Sequence, residues 1–86
     1  MLGKDVLYRL GELDVQAIGA LREKAKAHGQ RGNQVGIDEV YPAKIVRVWN
    51  EHTVNLQVYL DGNDIYWTTS AMRGEGLSQW NFSDRV

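Results

Sequence analysis

The feature that most constrains the fold is a strict two-residue alternation in the second half of the chain. In "TVNLQVYL" (53–60) every second residue is apolar, the set being Val54, Leu56, Val58 and Leu60. This period is that of a β-strand with one buried face. The β-rich stretches 41–49 and 65–72 flank it across short turn-forming segments. The sequence therefore predicts an antiparallel β-meander over residues 41–72.

The first forty residues carry a different pattern. Alternation over 4–10 predicts a short strand, and the four-residue recurrence of apolar side chains over 12–28 predicts a helix. The interior Gly19 costs helix stability and suggests a close approach to another backbone. Residues 29–40, with three glycines, are predicted to form a long loop. A short C-terminal strand is expected at 80–82.

These elements fit one domain, because 86 residues supply a single modest core. We expect an α+β fold spanning residues 1–86. Its architecture is a small, strongly bent antiparallel β-sheet or SH3-like barrel with one packed α-helix. The strand at 4–10 is expected to pair with the later sheet and cover one of its edges.

The stretch "YLDGNDIYW" (59–67) admits two interpretations, a calcium loop or a hairpin. An EF-hand starting at Asp61 needs oxygen ligands where Ile65 stands and a glutamate where Met72 stands, so the calcium pattern fails. A two-residue Gly62-Asn63 turn suits a hairpin instead. It predicts facing pairs Asp61–Asp64, Leu60–Ile65, Tyr59–Tyr66 and Val58–Trp67.

The turn at 50–52 sets the register of the preceding hairpin. It predicts facing pairs Trp49–Thr53, Val48–Val54, Arg47–Asn55 and Val46–Leu56. The core face is then expected to hold Val46, Val48, Val54, Leu56, Val58, Leu60, Ile65 and Trp67. The opposite face is expected to hold Ile45, Arg47, Trp49, Asn55, Gln57, Tyr59, Tyr66, Thr68 and Ser70.

That opposite face is rich in amide, hydroxyl and aromatic groups and is the candidate ligand-binding site. Its residues are Arg47, Trp49, Asn55, Gln57, Tyr59, Tyr66 and Thr68. The arginine would bind a phosphate or carboxylate, the aromatics would stack on a ring, and the polar groups would hydrogen-bond its edges. The same residue types are enriched in protein interfaces, so subunit packing remains an alternative.

The sequence gives little support for catalysis or metal binding. The chain has no cysteine and two histidines, and no serine–histidine–acid set is signalled. We therefore expect no catalytic residues, no metal site and no cofactor. A net charge of −1 and the lack of a long apolar segment argue against membrane partners, and the start of the chain does not read as a signal peptide.

A cationic stretch near the end of the predicted helix stands apart from this face. It contains Arg22, Lys24, Lys26 and Arg31. It is typical of a solvated helix end, and alternatively of a weak contact with nucleic-acid backbone.

The chain also resembles a group of small uncharacterised proteins encoded by tailed bacteriophages and prophages. The resemblance rests on "DVLYRLGELDVQAI", "GNQV", "YPAKIVRVW", "VNLQVYLDGND", "YWTTS" and "GEGLSQW". The group tends to have a longer insertion before the "GN" segment and a tryptophan where Phe82 stands here.

The resemblance implies a non-enzymatic phage accessory protein in the cytoplasm of an infected bacterium. One class of such proteins sequesters cyclic nucleotide signals of antiphage immunity, often in a site assembled between subunits. We accordingly expect a homo-oligomer that binds a nucleotide-derived ligand. The alternatives are a protein-interaction module for a host factor and a weak nucleic-acid binder.

Overall fold

The computed structural model describes residues 1–83 of the chain, and residues 84–86 of the predicted domain lie outside the described residues. It contains five strands, one α-helix and a short 3-10 turn. In chain order they are β1 (Asp5–Arg9), α1 (Glu12–Ala25), the 3-10 turn (Lys26–His28), β2 (Val40–Val48), β3 (Thr53–Tyr59), β4 (Ile65–Arg73) and β5 (Gln79–Phe82).

The five strands close into a barrel in sequence order. Strand β1 pairs antiparallel with both β2 and β5, and a short parallel pairing of β4 with β5 completes the ring. The α+β class is thereby confirmed, and the arrangement is consistent with an SH3-like barrel plus one helix. Strand β1 does more than cover an edge, since it joins β2 to β5 and so closes the sheet.

The barrel interior and the inner side of α1 form one apolar core. Its largest fully buried side chains are Trp80, Tyr8, Leu10, Ile18, Ile45, Leu56, Val6, Val54 and Val58. Trp80 from the last strand also donates its indole N–H to the Ala71 carbonyl at 3.1 Å. The short C-terminal strand therefore supplies the largest buried side chain of the core.

Glycines flank helix α1 together with the 3-10 turn that follows it. Gly11 is the N-cap, and its amide donates to the Asp14 carboxylate at 2.8 Å, which satisfies one of the free N–H groups of the first turn. After the 3-10 turn, Gly29 adopts a left-handed conformation with φ 85°, which favours glycine. The helix and its closing turn thus occupy the span 12–28.

The predicted register of the β3–β4 hairpin is wrong by one residue. Val58 pairs with Tyr66, and Tyr59 pairs with Ile65, so the connection comprises residues 60–64 and not a two-residue turn. Tyr66 consequently faces the core, and Trp67 lies on the outside of the barrel with 57 % of its surface exposed. Ile65 is also exposed and leaves the predicted core face.

The longer connection exists because it pairs with a distant segment. Gly62 forms an isolated antiparallel bridge with Gly32. A Cβ on Gly62 would lie 2.5 Å from the Arg31 carbonyl oxygen, so the approach requires glycine. Asn63 accepts from the Arg31 amide at 2.8 Å and donates to the Gly29 carbonyl at 3.1 Å. The "LDGND" segment therefore connects β3 to β4 and also holds residues 29–33 by hydrogen bonds.

The register of the β2–β3 hairpin is right near the turn and shifts further along. Arg47 pairs with Asn55 as predicted, but a bulge at Val46 makes Ile45, not Val46, the partner of Leu56. Ile45 is fully buried and takes the core position expected for Val46, whereas Val48 is exposed. One extra residue in a strand moves every later side chain to the other face.

The corrected β4 register predicts opposite responses at two adjacent aromatic residues. Tyr66→Ala opens a cavity in the core and is expected to lower the free energy of unfolding by about 3–5 kcal/mol. Trp67→Ala removes an exposed side chain and is expected to change it by less than about 0.5 kcal/mol. Chemical denaturation followed by circular dichroism measures both. Greater loss in the Trp67 variant would contradict this register.

Candidate binding face

The structure separates the seven predicted ligand-binding residues into two groups. Arg47, Trp49, Gln57 and Tyr59 lie together on the outside of the β2–β3–β4 sheet and are exposed. Tyr66 and Thr68 leave the predicted face, and Asn55 stays beside Arg47 on that face but is covered. Asn55 and Tyr66 are buried, and Thr68 is half-buried opposite the core residue Leu56.

The outside of this sheet gains residues that the predicted register assigned elsewhere. Gln57 lies between Lys44 on β2 and Trp67 on β4, and Tyr59 pairs with Ile65. We name this surface the outer aromatic face and define it as Lys44, Arg47, Trp49, Gln57, Tyr59, Ile65 and Trp67. No sequence signal distinguished Trp67 from Tyr66, because both are amphipathic aromatics on one strand.

Arg47 and Trp49 form a stacked pair on the outside of the sheet. The Arg47 guanidinium lies 4.0 Å from the centroid of the Trp49 ring, a cation–π arrangement. Within residues 1–83 no carboxylate forms an ion pair with Arg47. Its charge therefore lies against the Trp49 ring and is available to an acidic group.

Asn55 supports this pair from beneath the surface. Its Oδ1 accepts from the Trp49 indole N–H at 2.8 Å, the Thr69 hydroxyl at 2.9 Å and the Ser70 amide at 2.8 Å. Ser70 has a positive φ of 55° at the point where β4 bulges against β3. The amide oxygen thus fixes a strand irregularity and orients Trp49.

Tyr66 belongs to a buried cluster centred on the carboxylate of Asp14. This carboxylate accepts from the hydroxyls of Tyr8 and Tyr66 at 2.9 Å and of Ser78 at 2.7 Å. Burial and the negative charge of Asp14 raise the pKa of Tyr8 to about 12. Burial and the hydrogen bond to Asp14 also raise the pKa of Tyr66 above its ordinary value. Both hydroxyls are therefore neutral donors at neutral pH.

Removing the Asn55 side chain should loosen both the bulge and Trp49. Asn55→Ala removes the acceptor shared by Trp49, Thr69 and Ser70, and is expected to cost about 1–3 kcal/mol of unfolding free energy. Gln57→Ala, on the same strand but exposed, is the control and should change it by less than about 0.5 kcal/mol. Denaturant unfolding monitored by tryptophan fluorescence measures both, and equal stabilities would contradict the assigned role.

The tyrosine cluster also predicts loss of stability in alkali. A tyrosine whose pKa is higher in the folded chain keeps its proton while the unfolded chain loses it. The contribution of Tyr8 to the free energy of unfolding is therefore complete below about pH 10 and is lost as the pH rises toward 12. Unfolding free energies measured across this range should fall, and Tyr8→Phe should make the decline shallower.

Tyr41 provides the result that would contradict this assignment. Burial and a hydrogen bond to Glu39 raise the pKa of Tyr41 on β2 to about 12. If Tyr41→Phe removed the alkaline decline while Tyr8→Phe left it unchanged, the titration would belong to β2 and not to the Asp14 cluster.

Comparisons with protein-family models, curated proteins and solved structures give no match. No helix among residues 1–83 is long and apolar enough to cross a membrane.

Proposed function

We propose that this chain is a non-catalytic binding module whose outer aromatic face docks onto a partner protein. One observation supports the proposal above others: four large side chains of one sheet surface are turned to solvent. They are Trp67 (57 % exposed), Ile65 (55 %), Trp49 (50 %) and Tyr59 (37 %). Clustered exposed apolar groups mark interaction sites.

The residue types on this face suit a protein interface. Tryptophan, tyrosine and arginine dominate the energetic centres of such interfaces because they bury large areas on few rotatable bonds. Here the strand pairs Gln57–Trp67 and Tyr59–Ile65 hold the side chains on a hydrogen-bonded sheet. Docking therefore requires little additional ordering of the chain.

The charges on the face indicate the chemistry of the partner surface. Lys44 is paired with Asp5 at 3.4 Å, so its charge is partly compensated. Arg47 has no such carboxylate among the described residues and is already stacked on Trp49. We therefore propose an apolar partner surface that carries a carboxylate opposite Arg47, which the guanidinium would engage in a charge-assisted hydrogen bond.

A nucleotide-derived ligand at this face has weaker support. Asn55 already uses its oxygen within the fold, and Tyr66 and Thr68 lie on the inner side of β4. The four exposed residues that remain lie on the outside of a closed barrel, whereas small ligands favour concave sites. The resemblance to phage accessory proteins makes a host protein of the infected bacterium the partner we propose.

The proposal predicts that two tryptophans carry most of the binding energy. A partner captured from bacterial lysate, identified and purified, should bind Trp67→Ala and Trp49→Ala at least about tenfold more weakly than the unaltered chain. Leu13→Ala is the matched control, since Leu13 on α1 is 77 % exposed but lies outside the face. Isothermal titration calorimetry measures all three.

Three results would redirect the assignment. Equal affinities of the Trp67, Trp49 and Leu13 variants would remove the face from the interaction. Concentration-dependent self-association that Trp67→Ala abolishes would make the face a homo-oligomer interface. A cyclic dinucleotide that binds the unaltered chain but not Arg47→Ala would restore the small-ligand interpretation.

A further inference from the structure

A second candidate site lies between α1 and residues 30–35. These two segments enclose a cleft of about 750 Å³ whose lining includes no residue of the outer aromatic face. Val15, Ile18 and Val35 supply its apolar wall. Arg22, Lys26 and Arg31 also line it. The cleft therefore combines apolar surface with a concentration of positive charge.

Two of the three cations remain uncompensated. Arg22 forms a bidentate contact with Asp64, at 2.9 and 3.1 Å, and also donates to the Asn33 carbonyl. The Arg22 guanidinium is thus already paired within the fold. Lys26 and Arg31 form no ion pair within residues 1–83, and Glu23 is the single acid of the lining. The cleft has a net positive charge that no described residue neutralises.

A buried donor without an acceptor also lines the cleft. The side-chain nitrogen Nε2 of Gln30 is buried and makes no hydrogen bond to any residue among 1–83. Buried polar groups without a partner are rare, because each forfeits its hydration. A rotation of the Gln30 side chain toward the cleft would let this nitrogen donate to an acceptor on a bound molecule.

The roof of the cleft is fixed in place before binding. The Asn33 amide donates to the Asp61 carbonyl at 2.8 Å, and the Asn33 side chain donates to the Asp61 carboxylate at 2.8 Å. The Gly32–Gly62 bridge lies beside these bonds. The loop that the sequence predicted at 29–40 is therefore clamped over α1 by the β3–β4 connection.

Gly19 keeps the cleft open from the helix side. The sequence suggested that it marks a close backbone contact, but no atom lies within 4 Å of the position a Cβ would take. The surrounding packing therefore does not require glycine here, although glycine destabilises a helix interior relative to alanine. Its lack of a side chain leaves room in the cleft that a larger residue would occupy.

We propose that this cleft binds a small phosphorylated molecule with an apolar or aromatic body. Lys26 and Arg31 would contact the phosphate oxygens, as cationic donors prefer charged acceptors. The Gln30 amide would donate to a polar edge of the ligand, and Val15, Ile18 and Val35 would contact its body. This site is separate from the docking face and does not depend on it.

Four probes divide the ligand chemistry: adenosine monophosphate, adenosine, ribose 5-phosphate and inorganic phosphate. Adenosine monophosphate should bind more tightly than the other three, because it alone offers both the phosphate and the aromatic body. Two-dimensional NMR titration of labelled protein should show shifts at the amides of Gly19 and Gly32 and at the Gln30 side chain. Shifts at Trp67 instead would assign the ligand to the outer aromatic face.

Matched variants test the contribution of charge. Lys26→Glu and Arg31→Glu should each weaken adenosine monophosphate binding by about tenfold or more. Lys24→Glu is the control, because it makes the same charge change two residues before Lys26, at a residue outside the lining. Equal weakening by all three variants would indicate general electrostatic attraction and overturn the proposed site.

A substitution that fills the cleft tests it without removing any side chain that lines it. Gly19→Leu should abolish binding while keeping or raising the melting temperature, since helix propensity improves and the Cβ position is open. Gly19→Ala should retain binding and serves as the control. Unchanged binding in the leucine variant, or no binding of adenosine monophosphate at millimolar concentration, would refute the proposal. Trp67→Ala should leave this binding unchanged, which separates the result from the docking function.

Discussion

The buried carboxylate of Asp14 is the interaction on which the rest of the structure depends. It accepts hydrogen bonds from the Gly11 amide, the Tyr8 and Tyr66 hydroxyls and the Ser78 hydroxyl. These donors belong to the start of α1, to β1, to β4 and to the connection before β5. A buried carboxylate is tolerated only when it is well satisfied. Satisfying this one fixes the start of the helix against β1, β4 and the connection before β5.

The surface properties of the barrel follow from that arrangement. Because Tyr66 must reach Asp14, it faces inward, and the alternation of β4 then turns Ile65 and Trp67 outward. Asn55 makes the complementary contribution on β3, since its oxygen secures the bulge at Ser70 and orients Trp49. The exposed positions of these aromatic side chains thus follow from the hydrogen bonds of Asp14 and Asn55 beneath them.

The β3–β4 connection links the two proposed sites in the fold. Residues 60–64 hold the roof of the cleft through Asp61, Gly62 and Asn63. The next residue, Ile65, already belongs to the outer aromatic face. The two surfaces differ in chemistry, one being apolar with a single free arginine and the other a positively charged cleft. A chain of 86 residues therefore presents two dissimilar surfaces on one small core.

The kind of fold could be predicted from the residues, because alternation, helical periodicity and terminal glycines are local signals. These signals predicted a strand, a helix and a meander, and they placed Arg47, Trp49, Gln57 and Tyr59 on one face of the sheet. The strand register depends instead on contacts between distant segments. Tyr66 and Trp67 have similar preferences for burial, and the acceptor that draws Tyr66 inward lies 52 residues away in sequence. The bulges at Val46 and Ser70 likewise depend on neighbouring strands, so no local pattern revealed which aromatic side chain would face the solvent.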